Sequence, residues 1–152
     1  MRLRFRHLGT LVVLALTLTR TAAAQTDEEK TPLGMRMTAM NVALRQITSQ
    51  VADSTKNAST LEQVAIFQAN ATEALTFRPE KTAQVAEAEQ EQFVVDFQAG
   101  IKALLVTVDS LKVAVEAGRN ADAAAIVDAM KALQREKHPV FRIRKPPAQL
   151  RD

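Results

Sequence analysis

Four stretches of this chain repeat apolar residues at intervals of three and four, and none alternates with a period of two. Three-and-four spacing puts side chains on one face of an α-helix, whereas a half-buried strand needs strict alternation. The first stripe is Met37, Met40, Leu44, Ile47 and Val51, with Arg36, Asn41, Arg45 and Ser49 between them for water. The second is Leu61, Val64, Phe67, Ala71 and Leu75, and the third is Phe97, Ile101, Leu104, Val108, Leu111 and Val115. Ile126, Val127, Met130, Leu133 and Phe141 make the fourth. A helix with one apolar stripe must bury it against a neighbour. Four such helices with short links predict an all-α, antiparallel, up-down-up-down four-helix bundle over residues 32–143.

The helix ends are marked too. Thr31-Pro32 opens the first helix, Thr as N-cap and Pro at the first helical position, and that helix is expected to run to about Asp53. Asp53 to Ala58 reads as a polar connection, and Ser59-Thr60-Leu61-Glu62 fits a capping box for the second helix. Phe77-Arg78-Pro79 stops that helix, because proline disfavours helix in the residue before it. The third helix is expected from about Thr82 or Ala86 to Ala117, closed by Gly118 in a left-handed conformation. Asn120 is expected to cap the fourth. Pro139 lacks an amide hydrogen and crowds the preceding turn, so a kink or an end is expected there.

The ends of the chain follow other rules. Arg2, Arg4 and Arg6, the apolar run Leu8 to Leu18 and the small residues Ala22-Ala23-Ala24 read as a secretory signal over residues 1–24. The run is shorter than the ~20 apolar residues that span a bilayer. The expected location is therefore the periplasm, with no stable membrane association after cleavage; an uncleaved membrane anchor is the competing reading. Residues 25–31 read as a disordered segment and 144–152 as a flexible tail. Of the 20 Lys and Arg, four lie in residues 1–24, where none of the 17 Asp and Glu does, so the mature chain has a net charge of −1. The high whole-chain pI is thus no sign of nucleic-acid binding. Arg142, Arg144 and Lys145 form the basic cluster that remains, read first as a solvated tail and second as a docking patch. There is no cysteine. That excludes a disulfide framework, a cysteine zinc site and covalent haem attachment through Cys-x-x-Cys-His.

His138 is the only histidine outside the signal segment. Up-down-up-down topology puts the ends of the first and third helices and the start of the fourth at one end of the bundle. Met37 lies 16 residues before Asp53, Ile101 lies 17 before Gly118, and His138 lies 17 after Ala121. At 1.5 Å per residue all three stand ~24–26 Å from that end. Met37 and His138 are therefore expected level with each other, with Phe97 and Ile101 as apolar walls. A thioether and an imidazole facing each other suit the two axial positions of a haem iron. With both positions filled by protein, electron transfer is the chemistry left. Arg142, one turn beyond His138, is placed to pair with a haem propionate, with Phe141 near the ring edge. There is no nucleophile–base pair, no Gly-rich phosphate loop and no zinc set, so no enzyme is expected.

Three blocks carry a family resemblance. M-x-x-M-N-x-x-L-R-x-I (Met37 to Ile47), D-F-x-x-G-I (Asp96 to Ile101) and H-x-x-F-R (His138 to Arg142) resemble the soluble cytochrome b562 family, over about Leu33 to Arg142. The up-down-up-down bundle is that family's own fold and is partly taken from the resemblance. The resemblance implies a non-covalent b-type haem with Met37 and His138 as axial metal ligands. It also implies Leu33, Met40, Phe97 and Ile101 as haem contacts, Arg142 as a propionate partner, and redox proteins as partners. Cytochromes c′ share the bundle but attach haem through cysteines; the corresponding positions here are Gln134 and Lys137. A second class of function stays open: a haem-free exported bundle acting as a binding or stress-response module.

Overall fold

The computed structural model describes residues 31–143. The expected signal segment, residues 25–30 and the tail 144–152 lie outside the described residues. Four α-helices follow in order: α1 (Pro32–Gln50), α2 (Asn57–Ala74), α3 (Gln90–Glu116) and α4 (Asn120–Phe141). No strand occurs among the described residues. The fold is the expected all-α four-helix bundle. Its centre is made by the stripes: Ile47, Val64, Val108, Leu111, Val115, Val127 and Met130 are all essentially without solvent contact.

α1 begins as its sequence predicts. Thr31 is extended, and its hydroxyl accepts the Gly34 amide at 3.1 Å, with Pro32 at the first helical position. α1 stops at Gln50, three residues short of the expected end. The expected capping box at Ser59 is not used. Asp53 instead caps a 3₁₀ turn, Ser54–Lys56, that runs straight into α2 at Asn57. The Thr55 hydroxyl at 2.6 Å and the Thr55 amide at 3.0 Å hold the Asp53 carboxyl below the usual carboxylate range. Ser59 and Thr60 therefore lie inside the helix, where their hydroxyls donate to Gln50 Oε1 and to the Lys56 carbonyl.

α3 starts later than the sequence suggests. Two 3₁₀ turns, Glu80–Gln84 and Glu87–Glu89, precede it, separated by extended backbone at Val85 and Ala86. Its other end is the expected one. Gly118 has φ +67°, the Arg119 amide reaches the Ala114 carbonyl at 2.9 Å, and the Gly118 amide reaches Val115 at 3.0 Å. These paired bonds are the Schellman closure that glycine permits.

One expectation for α4 fails for a tertiary reason, and of the two outcomes expected at Pro139 the helix end does not occur. Asn120 is not its cap. Its side-chain amide donates to the Val51 carbonyl and to Asn57 Oδ1, both at 2.7 Å, while Asn57 Nδ2 donates to the Val115 carbonyl at 3.2 Å. This network ties the ends of α1 and α3 to the starts of α2 and α4. Nor does Pro139 end the helix, which continues to Phe141, with the Arg142 amide on the His138 carbonyl at 2.9 Å. Proline removes only one bond of the ladder, that to Arg135. The last turn is held from outside as well: Lys81 Nζ donates to the carbonyls of Pro139 at 2.9 Å and Val140 at 2.6 Å. Consecutive helices pack closely along their lengths, but α1 and α4 touch sparsely, which leaves a cleft between them at the end remote from Asn120.

Candidate cofactor-binding site

The cleft deepens into a cavity of about 210 Å³ walled mainly by α1, α3 and α4, with Phe67 of α2 among its lining residues. All seven residues expected at the site line it. Leu33, Met37 and Met40 come from α1, Phe97 and Ile101 from α3, His138 from α4, and Arg142 from the residue that caps α4. Helix lengths and topology bring Met37, Ile101 and His138 to one cavity.

Burial sorts the seven. Met40, Phe97 and Ile101 are buried, Leu33 and Met37 are half-buried, and His138 and Arg142 are exposed at the mouth. Three thioethers border the cavity: Met37, Met40 and Met130. Met40 and Met130 are 5 % and 1 % exposed and belong to the core, so Met37 is the sulfur left accessible from the cleft. Met35, the other nearby methionine, is 52 % exposed and does not line the cavity. Phe141 closes the wall beside His138. Its ring lies 5.2 Å from that of Phe93, tilted, and 5.6 Å from that of Phe97, edge to face, arrangements that aromatic quadrupoles favour.

The donor set points to one kind of guest. Among the described residues no three His, Cys, Asp or Glu side chains converge as they would around a bare metal ion. A single imidazole and a single accessible thioether suit a metal that arrives with its own equatorial donors, as haem iron does. The wall is otherwise apolar, and its charged residues, Lys137, Arg142 and Glu80, come from the end of α4 and the α2–α3 linker. A flat apolar body with carboxylate tails directed outward fits that distribution. Gln134 and Lys137, which stand where covalent attachment would need cysteine, line the cavity as well.

The structure adds residues that the sequence did not single out. Pro79 and Glu80 of the α2–α3 linker reach the cavity, which no helical periodicity could foretell. Gly100 lines it from within α3, and a Cβ built there meets no atom within 4 Å. A glycine inside a helical stripe was the available signal.

A family model described as Cytochrome b562 matches residues 32–142, nearly all of the described bundle. No curated protein and no solved structure gives a significant match.

Proposed function

The chain belongs to the cytochrome b562 family, haem-binding bundles that carry electrons and are not enzymes, and from that premise we propose an exported b-type electron carrier with Met37 and His138 as the axial ligands. The observation that carries the proposal is the convergence of the one described imidazole and the accessible thioether on a single apolar cavity. Non-covalently bound haem supplies an iron that accepts and returns one electron.

The residues of the chain do the rest. The Met37 thioether, a soft ligand, favours the reduced metal and raises the potential, and His138 completes the pair. Leu33, Met40, Phe97 and Ile101 exclude water from the ring, which further favours the less charged state. Arg142 pairs with a propionate at the mouth. Both ligands sit on packed helices, α1 with its Thr31 cap and α4 with Lys81 on its last turn, so neither need move when the charge changes. With residues 1–24 acting as an export signal, the carrier works in the periplasm and exchanges electrons with other redox proteins. No helix among the described residues is long and apolar enough to cross a membrane.

The test is an absorption spectrum of residues 25–152 purified with haem supplied. A red protein with sharp α and β bands on reduction is expected, and Met37→Ala should lose the six-coordinate, low-spin spectrum. A colourless protein whose melting is unchanged by haem would overturn the proposal, because a ligand that binds only the folded state must stabilise it.

A further inference from the structure

The charges of this bundle are unevenly shared. α2, α3 and the linker between them carry nine acidic residues against four basic ones, while α1, α4 and Arg142 carry six basic against three acidic. α1 has no carboxylate at all, and α2 no lysine or arginine. The asymmetry sharpens along the cleft. On α4, Lys131, Arg135, His138 and Arg142 follow at intervals of four, three and four, which places them on one face. His138 and Arg142 line the cavity, so this face borders the cleft. On α1, Thr38 and Asn41 line the cavity from the opposite bank, and Arg45 stands one turn further along the same row. Arg45 and Arg135 are exposed.

The acids near this surface are few and local. Asp128 pairs with Lys131 at 3.2 Å, Glu136 pairs with Lys137 at 2.7 Å, and Glu80 is the one carboxylate in the cavity wall. Arg36, the other arginine of α1, is turned away and pairs with Glu73 on α2. The mature chain is net negative, yet the face around the cavity mouth is positive.

We propose that the α1–α4 face is the docking surface for an acidic redox protein, steered to the cavity mouth by Arg45, Lys131, Arg135 and Arg142. The proposal rests on the electron-carrier reading. A partner must approach the edge of the cofactor to exchange an electron, and the mouth is where the cavity meets solvent. A field of one sign around a cleft raises the rate of encounter with the opposite charge and fades with salt.

Net charge and local charge predict opposite signs, which makes the test sharp. The mature chain, residues 25–152, is loaded with haem, reduced, and oxidised by ferricyanide, an anion that takes one electron from ferrous iron and becomes ferrocyanide. Tris(phenanthroline)cobalt(III), a cation reduced by the same single electron, is the control. Ferricyanide oxidation is expected to slow about tenfold between low and high salt. Arg45→Glu with Arg135→Glu should remove most of that dependence, leaving the high-salt rate and the haem spectrum unchanged. Independently of haem, titrating the apoprotein with polyglutamate should move backbone amide resonances along α1 and α4 and not those of α2 and α3. Ferricyanide oxidation that speeds up with salt, as the net negative charge of the haem-loaded chain requires, would overturn the proposal. So would polyglutamate shifts outside this face, or binding to phosphatidylglycerol vesicles with no response to polyglutamate. Failure to bind haem would instead sink the carrier reading, and the polyglutamate titration would still decide the surface.

Discussion

Gly100 sets the preferences of the empty fold against those of a bound group. A glycine inside a helix costs about 0.5–1 kcal/mol relative to alanine. Nothing within 4 Å opposes a Cβ at this position, so packing within the protein does not require glycine. The space belongs to the cavity. Gly100→Ala is therefore expected to stabilise the apoprotein by about 0.5–1 kcal/mol in urea melts and to weaken haem uptake in a titration. A destabilised apoprotein would show that the space is needed by the chain itself. The methionines separate in the same way. Met40 is buried, so Met40→Ala should cost about 2–5 kcal/mol of folding stability. Met37 is half-buried, so Met37→Ala should cost less than that in the apoprotein and yet abolish low-spin haem. If the two variants lose stability and spectrum in parallel, Met37 is a packing residue and not a ligand. Met37, Phe97, Ile101 and His138 could be placed at one height because two constraints, a 3.6-residue period and antiparallel topology, fix height along a bundle without any knowledge of side-chain detail. Arg142 followed from its place one turn beyond His138, and Leu33 and Met40 came from the family resemblance alone. Pro79 and Glu80 were not legible, since a linker's path depends on what it packs against.

At the scale of elements, the stripes determined which segments are helices, and contacts across the bundle decided where several of them begin and end. Ser59 and Asn120 have the right chemistry to cap, but each spends its side chain on a tie between helices. Local propensity is weak beside such tertiary bonds. Gly118 kept its expected role because no other residue takes positive φ so cheaply. Pro139 shows the two levels together. The helix survives it for two more residues, and Lys81 holds the carbonyls of Pro139 and Val140 in its last turn. Lys81→Met should cost only about 0.3–1 kcal/mol in the apoprotein, as expected for an exposed cation at a helix C-terminus. Its larger effect should fall on His138, one residue upstream: a shifted reduction potential or a faster loss of haem, restored by Lys81→Arg. Pro139→Ala, which returns an amide to the Arg135 carbonyl, should raise the melting temperature of the apoprotein. A lower melting temperature would mean that the proline is needed to start the turn held by Lys81.

For the molecule as a whole, the two ends of the bundle have different work. One end is drawn together by Asn120, Asn57 and the carbonyls of Val51 and Val115; at the other, α1 and α4 stand apart around the cavity. The first end ties the helices together, and at the second the side chains of α1 and α4 line the cavity. Asn120→Ala would remove two donated bonds and leave the half-buried Asn57 amide oxygen and the Val51 carbonyl without their donor. Losing a partner of a covered polar group costs about 1–3 kcal/mol, and the apoprotein should melt lower accordingly. His138 lies roughly 25 Å from Asn120 along the helix by its rise, and residues that far apart with no shared partner usually act independently. Haem affinity of the Asn120→Ala protein should thus stay within about twofold of the parent, and excess haem should raise the melting temperature of both by a similar amount. If haem binding instead collapses with the loss of Asn120, the pairing of α1 with α4 at the closed end sets the width of the open one, and the bundle works as a single lever.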